Sequence, residues 1–421
     1  MTTSNDSTDW ISRRKLLVSL PAVFAGFRSI AEAQRLQKFH LRKKKPAPAA
    51  PSLVYFGTDT YRGVSKGIYS ARFDATTGML TAPVLAVPTV RPAYFALGPI
   101  RNGRRLLYSV AEGTDAATSC VNSFLIDPKS GALEPLNRVS AGALGPCYIS
   151  VDSTDEAVFV ADYAGGAIAS FRILPDGKLS DPVETLDFEK EIARFGPHGP
   201  NSSRQSSPHP HSTLLSPDNR FLVVNDLGDD AIDIFPIDPA TAHIGQMEPH
   251  RFTNNHPGSG PRHTVFHPNR RWVYSINELD ATIDRFLWTM THKGGDSQAL
   301  LVDTQNSTKL LAPGFPVEKN TSAELEISPN GFFLYASNRG EDTLVVFSID
   351  QTSGDLKLVQ RIPCGGKAPR HFTIAPSGNW LICGNQDSGS VTVFKLDDGT
   401  GKLTGPTQTV ALDSPMFTLF V

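Results

Sequence analysis

The sequence predicts an all-β fold: a seven-bladed β-propeller of four-stranded antiparallel blades, closed by pairing of the C-terminal strand with the N-terminal blade. Three observations predict it. A turn of the type Asp-x-x-x-Gly-x-Leu recurs at 73–81, 126–134, 174–180, 237–245, 349–357 and 396–404, with a degenerate seventh copy near 291–302. A second marker, HPNRRWVYS at 267–275 and SPNGFFLYA at 328–336, also recurs at 98–108, 152–160, 216–224 and 375–383. Self-similarity at a period near fifty residues is the mark of a propeller. The third observation is that the two markers differ in number by one. Residues 53–58 read as a second strand and 416–421 as a first strand, so the C-terminal strand completes the blade begun at the N-terminus. Closure of this kind removes the open sheet edges that invite aggregation.

In chain order, residues 1–33 have the layout of an export signal. Ser12-Arg13-Arg14-Lys15 precedes an apolar run, and Ala31-Glu32-Ala33 offers a small-x-small cleavage site. Paired arginines suit the twin-arginine route, and the mature chain is expected in the periplasm or secreted. The apolar run is too short for a membrane span. Residues 34–51, with four consecutive basic residues and then PAPAAP, read as a linker. Residues 52–421 form the single propeller domain. The stretch 206–247 shows its grammar: three apolar runs of strand length and a weak fourth, bounded by Pro, Asp, Asn and Gly. Cys120, Cys147, Cys364 and Cys383 show neither CxxC nor metal spacing and read as buried thiols. The residues between Gly294 and Pro316 read as outer strands of the degenerate blade, and 188–207 as a long connection over one mouth of the channel.

A meander alternates direction, so its turns sort onto two faces. The Asp/Gly turns lie on one. The other receives the loops leading into each first strand and those joining second to third strands. These carry His209, His211, Arg262, His263, Glu278, Glu324, Arg339, Arg370 and His371. Several arginines converging on one concave mouth suit an anionic small molecule. Asp229, Asp230 and Asp280 read as loop acids, and His263 and His371 as residues facing a neighbouring blade. Only His209-x-His211 has chelating spacing, so no metal and no cofactor is expected. A net charge of −2 gives no nucleic-acid footprint. A closed ring needs no partner to cover its edges, so the expectation is a monomer.

PHPHS (208–212), GPRH (260–263), NEL (277–279), SAEL (322–325), SNRG (337–340), APRHF (368–372) and GNQDSGS (384–390) together resemble the lactonase family of seven-bladed propellers. That family includes 6-phosphogluconolactonases and carboxymuconate lactonizing enzymes. The resemblance spans 53–421 and implies a functional quartet of His211, Arg262, Glu278 and Arg339. Two departures from the family pattern are Tyr148 in GPCYI and ADYAGG at 161–166. Substrate contacts are assigned to His209, Glu324, Arg370 and Asn385. The implied reaction is hydrolysis of a sugar or small-acid lactone: His211, or Glu278 if its walls raise its pKa, takes the proton of a water, and arginines hold the oxyanion. The same groups allow a carboxymuconate-type cycloisomerisation, and a propeller that only binds is the reading from another class.

Overall fold

The computed structural model describes residues 52–190, 197–245, 250–253, 256–293 and 296–421. The expected signal and linker lie outside the described residues, as do Phe195 and Gly196 of the long connection. Seven antiparallel sheets surround an axis, each in meander order. Their innermost strands are Pro415–Phe420, Phe95–Arg101, Pro146–Val151, Pro210–Leu215, Pro261–Phe266, Thr321–Ile327 and Pro369–Ile374, which we assign to blades I to VII. Blade I joins the chain's two ends. Ser52–Thr58 is its second strand and pairs with Pro415–Phe420, with Val54 opposite Phe420 and Thr58 opposite Pro415. The degenerate blade V has a long outer hairpin, Thr282–Lys293 with Asp296–Lys309, which accounts for the extra residues there.

The repeated Asp/Gly turn has two jobs. Its Asp accepts backbone N–H groups of the turn, as Asp127 Oδ1 does from Lys129 and Ser130, and Asp350 Oδ1 from Thr352 and Ser353. Its Gly docks the preceding blade. The hydroxyls of Tyr55, Tyr108, Tyr274 and Tyr335 donate to the carbonyls of Gly131, Gly177, Gly354 and Gly401 in the next blade. At the seam between blades VII and I, Trp380 Nε1 donates to Ala75 O at 2.8 Å instead. A side chain on Gly354, at φ +80°, would collide with Trp272. The core is therefore a series of wedges between successive sheets, such as Trp272, Tyr274, Leu334 and Val345 between blades V and VI. All four cysteines are buried and unpaired.

One irregularity positions the site. In six blades the first strand slips register just after it begins, by one extra residue. Pro261 pairs with Asn277 and His263 with Ile276, leaving Arg262 as the extra residue of a β-bulge. Cys147, His211, Arg370 and Met416 hold the same place in their blades. A bulge re-aims the side chain of its extra residue. The repeat thus presents an off-pleat side chain at one end of the channel in six of the seven blades.

Candidate active site

Residues near the start of the first strands of six blades form a layer across the axis. Tyr94 stacks on Tyr148 at 4.0 Å and lies 3.9 Å from Phe417, which is 4.1 Å from the His371 ring. Glu324 accepts from His263 Nδ1 at 3.0 Å and faces His371 Nε2 at 3.3 Å. His263 and His371 therefore face the axis, where each meets a carboxylate from an adjacent blade. Glu324 lies in this layer and does not reach the wall of the cavity described below. Burial pushes His371 down to about 4, against the pull of Glu324, so it is neutral at pH 7.

Above this layer, at the end that carries the second-to-third loops, Glu278 is the hub. Its carboxylate lies 3.0 Å from Arg262 Nε and accepts from Arg339 Nη2 at 2.9 Å and Arg204 Nη2 at 2.6 Å. Burial alone would raise a carboxyl. Here Arg339, Arg262 and Arg204 outweigh burial and hold Glu278 well below the usual carboxylate range. This corrects the expectation that the walls would lift Glu278 toward neutrality: the three guanidiniums favour its charged form. Arg262 also donates through Nη1 to Ala323 O, and Arg339 through Nη2 to Ser322 O at 3.0 Å.

His211 is 6% exposed, with its Nδ1 4.0 Å from Cys147 Sγ. Burial first, then Arg262, His263 and Arg370, hold its imidazole well below the usual histidine range, so it is a neutral ring. Among the described residues its Nε2 has no hydrogen-bond partner. His209 does not touch it directly. The His209 ring stacks on Tyr163 at 4.4 Å, and the edge of Tyr163 meets His211 at 5.4 Å. Asn385 is fully buried, and its amide donates to Thr392 Oγ1 at 3.0 Å within its own blade. It braces the loop, and its neighbour Gln386 takes the place on the cavity wall.

That cavity, about 390 Å³, is lined by Arg62, Arg91, Arg339, Lys367, Arg370 and Gln386, with Asp342 and Asp387 at its rim. Arg91 is held by Asp59 at 3.2 Å and Glu112 at 3.4 Å. Arg370 has no hydrogen bond and no short ion pair among the described residues; burial pushes its pKa down against the pull of Glu112, its leading counter-charge. A partly buried guanidinium beside Arg339 whose N–H groups make no hydrogen bond is a ready anion contact. Sequence reasoning missed Arg91 and Arg204. Arg91 sits in the RPAYF segment at 91–95, where its arginine had the same signal as Arg262 and Arg370. Arg204 comes from the long connection, whose later part, 197–207, packs over the loop 226–229 and reaches Glu278. Within that part it is the one cation, which is a weak signal without the fold.

The family described as "Lactonase, 7-bladed beta-propeller" matches residues 53–420. A 6-phosphogluconolactonase of Bacillus subtilis (strain 168) is 30% identical over 87% of this chain and 97% of the relative. A protein of the same name from Formosa agariphila is 31% identical, over 76% of this chain and 85% of its own length. Among solved structures, the periplasmic gluconolactonase of Pseudomonas aeruginosa superposes with a TM-score of 0.77 at 30% identity, covering 88% of this chain and 99% of the other.

Proposed function

Because this chain belongs to the seven-bladed β-propeller lactonase family, we propose that it hydrolyses the lactone of an anionic sugar acid or small organic acid. Water adds to the acyl carbon, and His211 Nε2 takes its proton. The negative charge that develops on the acyl oxygen is met by Arg339 and Arg370, where preorganised donors act in a partly dry site. Collapse breaks the ring C–O bond, and the imidazolium returns the proton to the departing alkoxide. The product is the open hydroxy acid. A low imidazole pKa suits the second half of this sequence, since the protonated ring is then a strong donor. Glu278 is not a base in this reading; it fixes the guanidiniums.

The observation that supports the reading is Arg370, a guanidinium with no hydrogen bond among the described residues, on the wall of a cationic cavity. The test is pH-stat hydrolysis of phosphorylated and unphosphorylated aldonolactones and a muconolactone. Arg370→Ala is expected to raise KM at least about tenfold, the scale of a lost charge-assisted bond. Failure of the wild-type chain to open any lactone overturns the assignment. Conversion of a muconate to its lactone would move the reaction to the cycloisomerase branch. The paired arginines at 13–14 support export by the twin-arginine route, and a mature N-terminus after Ala33 in the periplasmic or secreted fraction is the expected result.

A further inference from the structure

The candidate site is built in two halves. One is aromatic and imidazole, with His209 stacked on Tyr163 and the edge of Tyr163 against His211. The other is ionic, with Glu278 between Arg262 and Arg339. One side chain bonds to both. Arg204 Nη2 donates to Tyr163 Oη at 3.3 Å and to Glu278 Oε1 at 2.6 Å. Both bonds come from the same nitrogen. Its Nε and Nη1 make none among the described residues, and the side chain is 34% exposed where Glu278 is 5%.

Arg204 does not reach the mouth by chance of a loose loop. The strap that carries it is tied to the loop 226–229 beneath it. Gly199 N–H donates to Gly228 O at 2.9 Å, and the buried Gln205 donates through Nε2 to Leu227 O at 2.9 Å. Gln205 Oε1 also accepts from Asn201 N–H, and His198 Nδ1 lies 2.7 Å from Asp229 Oδ1. A Cβ on Gly228 would run into Ser207 O, so the close approach of strap and loop needs that glycine. A guanidinium with its backbone fixed on both sides is preorganised, and little freedom is lost when it binds.

We propose that Arg204 is a positioning residue that couples the histidine half of the site to the carboxylate half, and that its two unengaged N–H edges receive an oxygen of the substrate or of the carboxylate product. The second part rests on the lactonase reading; the first does not. With Arg204 removed, Tyr163 loses its tie across the mouth, and Glu278 keeps only two of its three cations. Its carboxyl should then titrate higher than in the wild type.

The test uses the full mature chain and the variants Arg204→Ala, Arg204→Lys and Tyr163→Phe. Arg204→Ala is expected to lower kcat/KM at least about tenfold, with kcat affected as well as KM, because both halves of the site are displaced. Its melting temperature should stay within a few degrees of the wild type, since Glu278 keeps Arg262 and Arg339 and the strap keeps its backbone ties. Tyr163→Phe should give a smaller loss in kcat/KM, and Arg204→Lys should recover part of it through charge without the planar fork. Independently of turnover, the 13C titration of the Glu278 carboxyl should move up in Arg204→Ala. Wild-type kcat, KM and carboxyl titration in Arg204→Ala would overturn the proposal. If the wild-type chain opens no lactone, the function assignment falls, and the carboxyl titration alone decides the coupling.

Discussion

Glu278 and Asp162 are both buried acids at neighbouring places in their blades, and they have opposite fates. Glu278 follows the last residue of its second strand and meets three guanidiniums, which keep it charged. Asp162 is the last residue of its own second strand, and neither of its oxygens has a well-formed hydrogen bond. At the matching position Asn277 donates to Asp284 and Asn385 to Thr392, both on the third strand. The residue that matches Thr392 in blade III is Ala169, two beyond Ala167, the residue paired with Asp162, so the third strand offers no side-chain partner there. Burial, relieved only in part by the Ala143 amide, raises Asp162 well above its ordinary value. The folded chain thus keeps a proton that the unfolded chain loses near pH 4, and stability falls as pH rises through that interval. Asp162→Asn removes this slope. The expected result is a higher melting temperature by about 1 °C per kcal/mol recovered, larger at pH 8 than at pH 5. In the sequence Asp162 is only a letter of the ADYAGG segment; that its third-strand partner is missing follows from a cross-strand register.

The element that makes the site is the approach to each first strand. The residue before the proline has positive φ in several blades: Arg91, Gly145, Gly260, Ala368 and Ser414. The proline starts the strand, and the bulge follows. The N–H of the residue after the second strand then closes the loop, as Glu278 N–H does to Gly260 O at 2.8 Å. That single bond ties the backbone of Glu278 to the turn that aims Arg262. Gly260 has φ +63°, and a Cβ there would come within 2.8 Å of Leu279 Cγ and 3.1 Å of Leu227 Cγ. Ala368 tolerates the same backbone region, so the dihedral alone is not prohibitive. A β-branched residue adds steric conflict. Gly260→Val is expected to lose about 1–3 kcal/mol in urea unfolding, and its kcat/KM should fall further than that of Gly260→Ala, because Arg262 shifts. The segments GPRH and APRHF were legible as markers of the mouth. The bulge was not, since an extra residue shows only when two strands are placed side by side.

At the scale of the molecule, the ring is closed by the last six strand residues, Pro415–Phe420, and by Val421 N–H to Leu53 O at 2.9 Å. Phe417 also belongs to the axial stack beneath the site. Deleting 415–421 leaves Ser52–Thr58 as an unpaired inner edge and opens the floor of the mouth. The expected outcome is loss of cooperative unfolding and aggregation, read by calorimetry and light scattering, where trimming an ordinary tail would change neither. The sequence by itself determined the number of blades, the strand that closes them and the face that carries the ionisable groups. Those follow from turn chemistry and the alternation of a meander, which are local. It did not determine the charge state of Glu278 or the presence of Arg204. The three cations on Glu278 come from its own blade, the next blade and a strap 74 residues upstream. Whether they converge or scatter is decided by the curvature of the closed ring, and convergence is what reverses the effect of burial on that carboxylate.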